Sequence, residues 1–243
     1  MSLDLSVLIV SHRHGADVRK CIESLGAGLE GLSYEIIVVD NLVEPDFLDQ
    51  IGGGRNGLTL ISNEEPLGFG GNVNKAARAA SGGVLLVLNP DTAYHSGQVS
   101  EAVDFLEEDE SRGVVAARLI YPDGAIQRNF RGFPSVGVTF LRALGANNWR
   151  NAPAFYRHAM LDTLHPEQPV AVDWVFGSFM LIRKSQFDAI GGFDESFVMY
   201  YEDVDHCYRL RLRGYTTWMY PDLAFFHEHK RDSAKLMPSR LQL

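Results

Sequence analysis

Val84-Leu85-Leu86-Val87-Leu88 is an unbroken apolar run that stops at Asn89-Pro90-Asp91. A run this short and this continuous reads as a strand buried on both faces, hence central in a largely parallel sheet. Proline lacks an N–H and pins φ, so the ladder ends there. Asp91 is then left at the carboxyl end of a central strand, where open α/β sheets bind ligands. A carboxylate in that position suits a divalent cation held against phosphate oxygens. On this stretch alone, a turn aspartate capping a helix near Ser96 is an equal reading.

The residues before that run repeat one rhythm. Leu5 to Val10 is a strand ending in Ser11-His12-Arg13. A helix follows on Val18, Cys21, Ile22 and Leu25, and Gly26 and Gly28 end it. Glu35 to Val39 is a second strand, closed by Asp40-Asn41, and Leu58 to Ser62 a third. Gly68-Phe69-Gly70-Gly71 then opens a helix with the stripe Val73, Ala76, Ala77 and Ala80. Strands alternating with helices imply βαβ units and a parallel sheet. Asp40 suits a base or ribose contact at the sheet edge and equally suits a helix cap. Glycines before a helix let the backbone approach a ligand and aim N–H groups at it. They do not form Gly-x-Gly-x-x-Gly directly after the first strand, and no Gly-Lys-Ser/Thr is present, so nicotinamide and P-loop readings are weak.

The second half is less regular. A helix carries Val99, Ala102, Val103 and Leu106, Val114 to Ala117 is a strand, and Tyr121-Pro122-Asp123-Gly124-Ala125 signals a hairpin turn. From Gln127 to Pro169 the periodicity decays, apart from a short helix around Phe140 to Leu144. That segment, with Arg128, Arg131, Trp149 and Tyr156, reads as an acceptor-binding lid or as a surface loop. Order returns at Val170–Phe176, Ser178–Ile182 is a strand, and Arg183–Ile190 is a short helix ended by Gly191-Gly192. A further helix runs to Arg213 with Val204, Cys207, Tyr208 and Leu212 as its core stripe and Asp205 pairing Arg209. Glu202 and Asp203 occupy its first turn, where the helix dipole favours acids and where most acids are only caps. Thr216–Tyr220 and Ala224–Phe226 are two closing strands, followed by His227. The expected organisation is one domain over 1–243, with a donor half at 1–95, an acceptor and catalytic half at 96–230, and a tail at 231–243.

Composition narrows the function. The net charge is −9, which argues against general nucleic-acid binding and leaves room for an anionic ligand held by backbone N–H groups or a metal. Cys21 and Cys207 fall on apolar helix faces, as expected of a reducing compartment. No basic-then-apolar signal opens the sequence and no apolar run nears the roughly 20 residues that span a bilayer, so a cytoplasmic protein is expected. The basic stretch from His229 to Leu243 reads as a frayed tail or as a peripheral contact with the inner face of the plasma membrane.

Several stretches taken together resemble the family 2 glycosyltransferases of the GT-A fold, and within them the bacterial rhamnosyltransferase-like branch. They are Ser6–Ser11, Val38–Asn41, Gly68–Asn74, Leu88–Asp91, Asp123-Gly124 through Gln127, Arg131–Pro134, Gly191–Asp205 and His227. The resemblance implies an α/β, mostly parallel Rossmann-like sheet with helices on both faces and a smaller antiparallel acceptor-side part. It implies that Asp40 contacts the base, that Val10 and Ser11 line the base and ribose pocket, and that Gly68, Asn74, Asn89 and Pro90 join Asp91 at the nucleotide. Asp91 is then the ligand of Mg²⁺ or Mn²⁺, with His227 completing the metal shell or touching the diphosphate. Asp203 is the general base with Glu202 beside it, and Trp174, Gly177 and Ser178 face the acceptor. The implied reaction is inverting transfer of a sugar to a hydroxyl of a polysaccharide or lipid-linked saccharide. The implied donor is dTDP-L-rhamnose, with a UDP-hexose left open, and nucleic acid is not an implied partner. A non-catalytic nucleotide-sugar binding module and a nucleotidyltransferase are the alternatives. Asn89 stands where the family's metal motif has its first acid, Pro66 and Arg13 each stand where asparagine is usual, and Asp40-Asn41 lacks the serine that often follows.

Overall fold

A computed structural model describes residues 3–42, 45–52, 57–146, 149, 152–161 and 164–228. Strands β1 (Leu3–Ser11), β2 (Tyr34–Asp40), β3 (Leu58–Ser62) and β4 (Gly82–Leu88) form the parallel half of the sheet. Helices α1 (Gly15–Ser24), α2 (Phe47–Gln50) and α3 (Phe69–Ala79) lie between them in the chain. The second half supplies β5 (Thr92–Ser96), α4 (Val99–Glu107), β6 (Arg112–Ile120), β7 (Ile126–Gln127) and β8 (Phe130–Arg131). It continues through α5 (Val136–Ala143), α6 (Ala154–Ala159), β9 (Val170–Val172), β10 (Trp174–Val175) and β11 (Phe179–Arg183). It closes with α7 (Lys184–Ala189), α8 (Glu202–Leu212) and β12 (Thr216–His227).

The main sheet runs β3-β2-β1-β4-β11-β6-β12-β5, with β7 on β6 and β9 on β12. The Val84–Leu88 run is central as expected. Its neighbours differ in sense, because β1 pairs with it in parallel and β11 antiparallel. The sheet is therefore mixed, with β3, β2, β1 and β4 as its parallel half.

Strand alternation divides the core into two layers. Val7, Ile9, Leu86 and Leu88 face α1 and α4, where Val18, Cys21, Val99 and Leu106 meet them. Leu8, Val10, Leu85 and Val87 face α3, α7 and α8 through Val73, Ala76, Phe187, Cys207 and Leu210. Both cysteines are buried and free. Fully burying a leucine or valine is worth roughly 1.5–3 kcal/mol, so this doubly covered strand is the sheet's firmest anchor.

Four expectations change. Asp91 is not the cap of the helix near Ser96: β5 starts at Thr92, directly after Asp91, and α4 begins at Val99 with Gln98 as its N-cap residue. The helix after the glycines begins at Phe69, so Gly70 and Gly71 lie inside its first turn. On α8 the inward residues are Val204, Cys207 and Leu210, while Tyr208 and Leu212 are exposed. The two closing strands are one strand, β12, whose register on β6 shifts between Tyr220 and Ala224. Pro221 lies in that shift, as expected of a residue that cannot donate to a ladder.

The aperiodic segment is an excursion with its own small core. Val138, Ala146, Ala152 and Tyr156 pack together between α5 and α6. β8 and β10 form a short separate ribbon beneath it. The tail at 231–243 lies outside the described residues. Among those described, no helix is long and apolar enough to cross a membrane.

Candidate active site

The β4 run delivers Asp91 to the carboxyl end of the sheet. Just before it, the Asn89 N–H donates to the Ser178 carbonyl at 3.0 Å, and Leu88 pairs with Phe179 of β11. Gly177, one residue upstream of Ser178, donates its N–H to Asp203 Oδ2 at 3.1 Å. Asn89 and Asp203 thus bond to the neighbouring residues Ser178 and Gly177, and Asp91 follows two residues after Asn89. The strand end carrying Asn89-Pro90-Asp91 and the helix start carrying Glu202-Asp203 meet there.

The helix start is set by strain. Tyr200 and Tyr201 both hold left-handed backbone, with φ of 67° and 69°. Such conformations cost a non-glycine residue roughly 1 kcal/mol or more and persist only where surroundings enforce them. The turn drives Glu202 inward, to 7% exposure, and brings Asp203 half-buried against Gly177. Burial pushes Asp203 up to about 6, while the N–H groups of Gly177 and Val204 pull it down. Burial first, and then the neighbouring Asp203 charge, push Glu202 up to about 7. Glu202 Oε2 is buried with no hydrogen-bond partner. An acid held near 6 is poised to accept a proton at neutral pH.

His227, at the end of β12, reaches Asp91: Nε2 lies 3.3 Å from Oδ1. Its Nδ1 is 2.6 Å from Gln127 Oε1. A carboxylate oxygen and an imidazole nitrogen this close would be able to hold one divalent cation together. A histidine ligand is ordinarily oriented through its other ring nitrogen, which is what Gln127 does here. Among the described residues no group of three or more His, Cys, Asp or Glu could hold a metal alone. The pair fits a cation whose remaining ligands come from a bound diphosphate or water.

The other expected nucleotide residues are spread over the same strand ends. Val10 and Ser11 close β1, and the Ser11 hydroxyl accepts from the His14 N–H at 3.1 Å. Asp40 is buried at the end of β2 and accepts from the Leu42 N–H at 3.3 Å, so it does not cap a helix. Gly68 is the residue before α3, and a Cβ there would lie 2.7 Å from the Val198 carbonyl oxygen. A Cβ on Gly70 would lie 2.9 Å from Phe193 Cβ. Both glycines therefore admit the 193–198 segment, which reaches the backbone where a ligand approach was expected. Asn74 is taken up by the same segment: its Nδ2 donates to the Phe193 carbonyl and to Glu195, and its Oδ1 accepts from the Phe193 N–H. On the acceptor side, Trp174 Nε1 donates to the Gly132 carbonyl, and Gly177 and Ser178 are buried.

Two contributors escaped the sequence reading. Gln127 lay inside a matching motif without a role; only the hairpin at Tyr121–Ala125 brings it to His227, 100 positions away. Asn41, Asn63 and Asn72 form a buried amide cluster. Asn63 Nδ2 donates to the side-chain oxygens of both others, and Asn41 Oδ1 also accepts from the Leu67 N–H. Asn72 Nδ2 donates to the Leu67 and Gly68 carbonyls. Lys75 Nζ closes the cluster on Asn63 Oδ1 at 2.8 Å, beside a cavity of about 350 Å³ lined by Ser62, Asn63, Glu64, Glu65, Leu67 and Lys75. Three asparagines on three elements thus fix the loop before Gly68. Asn41 and Asn72 lie inside matching stretches, but nothing in their spacing from Asn63 marks the three as partners.

The chain has the fold of the GT-A glycosyltransferases. GalNAc-T7, solved with UDP, GalNAc and Mn²⁺, superposes with a TM-score of 0.68 at 18% identity, over 93% of this chain and 44% of its own. Within that class the chain belongs to glycosyl transferase family 2, whose sequence profile it matches over residues 6–190, and it is a glycosyltransferase. It is 32% identical to the rhamnosyltransferase WbbL of Escherichia coli (strain K12), over 93% of this chain and 84% of that one. It is 28% identical to the N-acetylglucosaminyl-diphospho-decaprenol L-rhamnosyltransferase of Mycobacterium tuberculosis, over 97% and 79% respectively.

Proposed function

We propose that this protein transfers L-rhamnose from dTDP-L-rhamnose to a saccharide hydroxyl on a lipid-linked or polysaccharide acceptor, with inversion at the anomeric carbon. The donor supports itself on the two rhamnosyltransferase relatives, and the lipid-linked acceptor on the printed name of the mycobacterial one. The observation that supports the reading most is the shared backbone junction of Asn89–Ser178 and Gly177–Asp203. It joins the strand end that precedes Asp91 and the helix start that carries Asp203 to neighbouring residues, which supports reading the two acids as parts of one site.

In this mechanism Asp203 takes the proton of the attacking hydroxyl, since it is the acid with N–H groups fixing its carboxylate and an upward-shifted affinity for protons. Between about pH 6 and pH 7 Glu202 stays protonated while Asp203 is charged, which in that window keeps two adjacent acids from both carrying full negative charge. Asp91 and His227 are the residues that would hold Mg²⁺ or Mn²⁺. Such a cation neutralises charge on the leaving diphosphate when bound. The residues at the ends of β1 and β2, Val10, Ser11 and Asp40, are proposed to bind the nucleoside. Trp174, Gly177 and Ser178 are proposed to face the acceptor.

The test is a thermal-shift screen of nucleotide sugars with and without Mn²⁺, followed by product analysis on a N-acetylglucosaminyl diphospho-lipid acceptor. The expected result is selective stabilisation by dTDP-L-rhamnose in Mn²⁺ and a product of opposite anomeric configuration. Stabilisation by a UDP-hexose alone would reassign the donor, and a product of retained configuration would remove the single-displacement mechanism.

A further inference from the structure

We propose that the outer face of α5 and α6 is a docking surface for an anionic lipid bilayer. The two helices bury Val138, Ala146, Ala152 and Tyr156 between them. Alongside Thr139 and Arg142, three large apolar residues of α5 and its C-terminal end point away from that core. Val136, Phe140 and Leu144 are 90%, 63% and 54% exposed. Spaced i, i+4 and i+8, they form a single stripe. Phe155 of α6 extends it, since its ring lies 3.6 Å from the Cβ position of Gly137 and is itself 56% exposed. Trp149, between the helices, is also exposed. An amphipathic helix with an uncovered aromatic and aliphatic face is the usual form of an interfacial anchor.

Charge selects the occupant. From Gly124 to Leu161 the sequence contains no Asp or Glu and five arginines, Arg128, Arg131, Arg142, Arg150 and Arg157. The whole chain carries −9 and this segment +5, so the remainder carries −9 − 5 = −14. The molecule thus concentrates positive charge where it leaves apolar side chains in water. The Debye length at physiological salt is about 8 Å, close to a helix width, so the arginines need not lie on the apolar stripe to attract an anionic surface. A second copy of this face would meet like charge across a two-fold interface. The segment at 229–243 is an equally poor match, with Lys230, Arg231, Lys235 and Arg240 against Asp232 alone.

The surface also sits beside the proposed acceptor side. The Gly132 N–H donates to the Ala159 carbonyl at 2.8 Å, and the Gly132 carbonyl accepts from Trp174 Nε1. Trp174 begins the stretch that ends at Gly177, whose N–H holds Asp203. A bilayer on this face would present the head group of a lipid-linked acceptor on the side of the molecule where Trp174 lies. The inference deepens the lipid-linked acceptor reading and rests on it for that step.

The experiment is co-sedimentation of the full chain with vesicles of phosphatidylcholine, with or without phosphatidylglycerol, at low and high salt. Hydrolysis of the nucleotide-sugar donor in water serves as the control for an intact donor site. Wild-type protein is expected to bind the phosphatidylglycerol vesicles and to leave them at high salt. The pair Arg142→Gln with Arg157→Gln is expected to weaken binding about twenty-fold, since each basic residue near such a surface is worth about fivefold. The pair Val136→Ser with Phe140→Ser, both exposed, is expected to weaken it about tenfold or more with donor hydrolysis unchanged. Absence of wild-type binding to anionic vesicles overturns the proposal. So does binding that survives both pairs and is lost only on neutralising Lys230 and Arg231. A wild-type dimer that the Val136 and Phe140 changes convert to monomer overturns it in favour of a second copy. If vesicle binding fails while a detergent-solubilised lipid-linked acceptor is still glycosylated, the functional reading survives and only the docking surface falls.

Discussion

Asp203 and Glu202 are adjacent in sequence and share one buried turn, yet the site asks different things of them. Asp203 sits near 6, so turnover is expected to fall as pH drops through 6 and to level off above it, measured as a kcat profile at saturating donor. A profile flat from pH 5 to pH 8 would mean that another group accepts the proton. Glu202 is raised from 4.5 to about 7, so its burial costs nothing below about 4.5, where it is protonated folded or unfolded, and costs most above 7. Glu202→Gln should therefore raise Tm at pH 8, with the gain vanishing by pH 4; an equal change at both pH values would contradict the buried-charge account. Gln127→Ala, which releases His227 Nδ1, is expected to weaken Mn²⁺ binding to the nucleotide complex about 10–100-fold, read by Mn²⁺ electron paramagnetic resonance. Unchanged affinity would reduce Gln127 to a packing residue. At this scale the acids were legible, because strand ends and helix starts are marked by composition. Gln127 was not, since its partner depends on a hairpin and a strand folding back from 100 positions away.

At the scale of elements, the parallel half was readable almost residue for residue. The Val84–Leu88 run sits where a continuous apolar run demanded it, and Leu58–Ser62, with Thr59 between its leucines, is the partly covered strand β3 at the sheet's end. The helices were less so. The stripe of α8 was read through Tyr208 and Leu212, yet both are exposed, and Phe133 packs edge-on against Tyr208 from outside. Apolar spacing alone does not tell a core face from a second apolar face. The glycines before α3 were read as a ligand cradle, whereas their missing Cβ atoms make room for the 193–198 segment. Asn74 belongs to that same contact. Asn74→Ala removes three hydrogen bonds to Phe193 and Glu195 and is expected to cost about 2–4 kcal/mol of stability, read by denaturant unfolding. A variant of normal stability whose nucleotide affinity collapses would instead make Asn74 a direct nucleotide contact.

The whole molecule is a mixed sheet in which β4, in the parallel half, meets β11 antiparallel. That junction carries the account, because Asp91 lies just past one strand and Asp203 leans on the residue just before the other. The sequence alone could set these acids on strand and helix ends, but the approach of the Asn89 and Gly177 backbones required the chain order of the sheet, which no local pattern encodes. The most direct test is Asp203→Asn, assayed for donor binding by calorimetry in Mn²⁺ and for transfer in the same preparation. The isosteric amide keeps an oxygen for the Gly177 N–H, so donor affinity should stay within about twofold while turnover falls roughly 10²–10⁴-fold. Near-normal transfer by Asp203→Asn, with donor binding intact, would contradict the division of labour between the two acids.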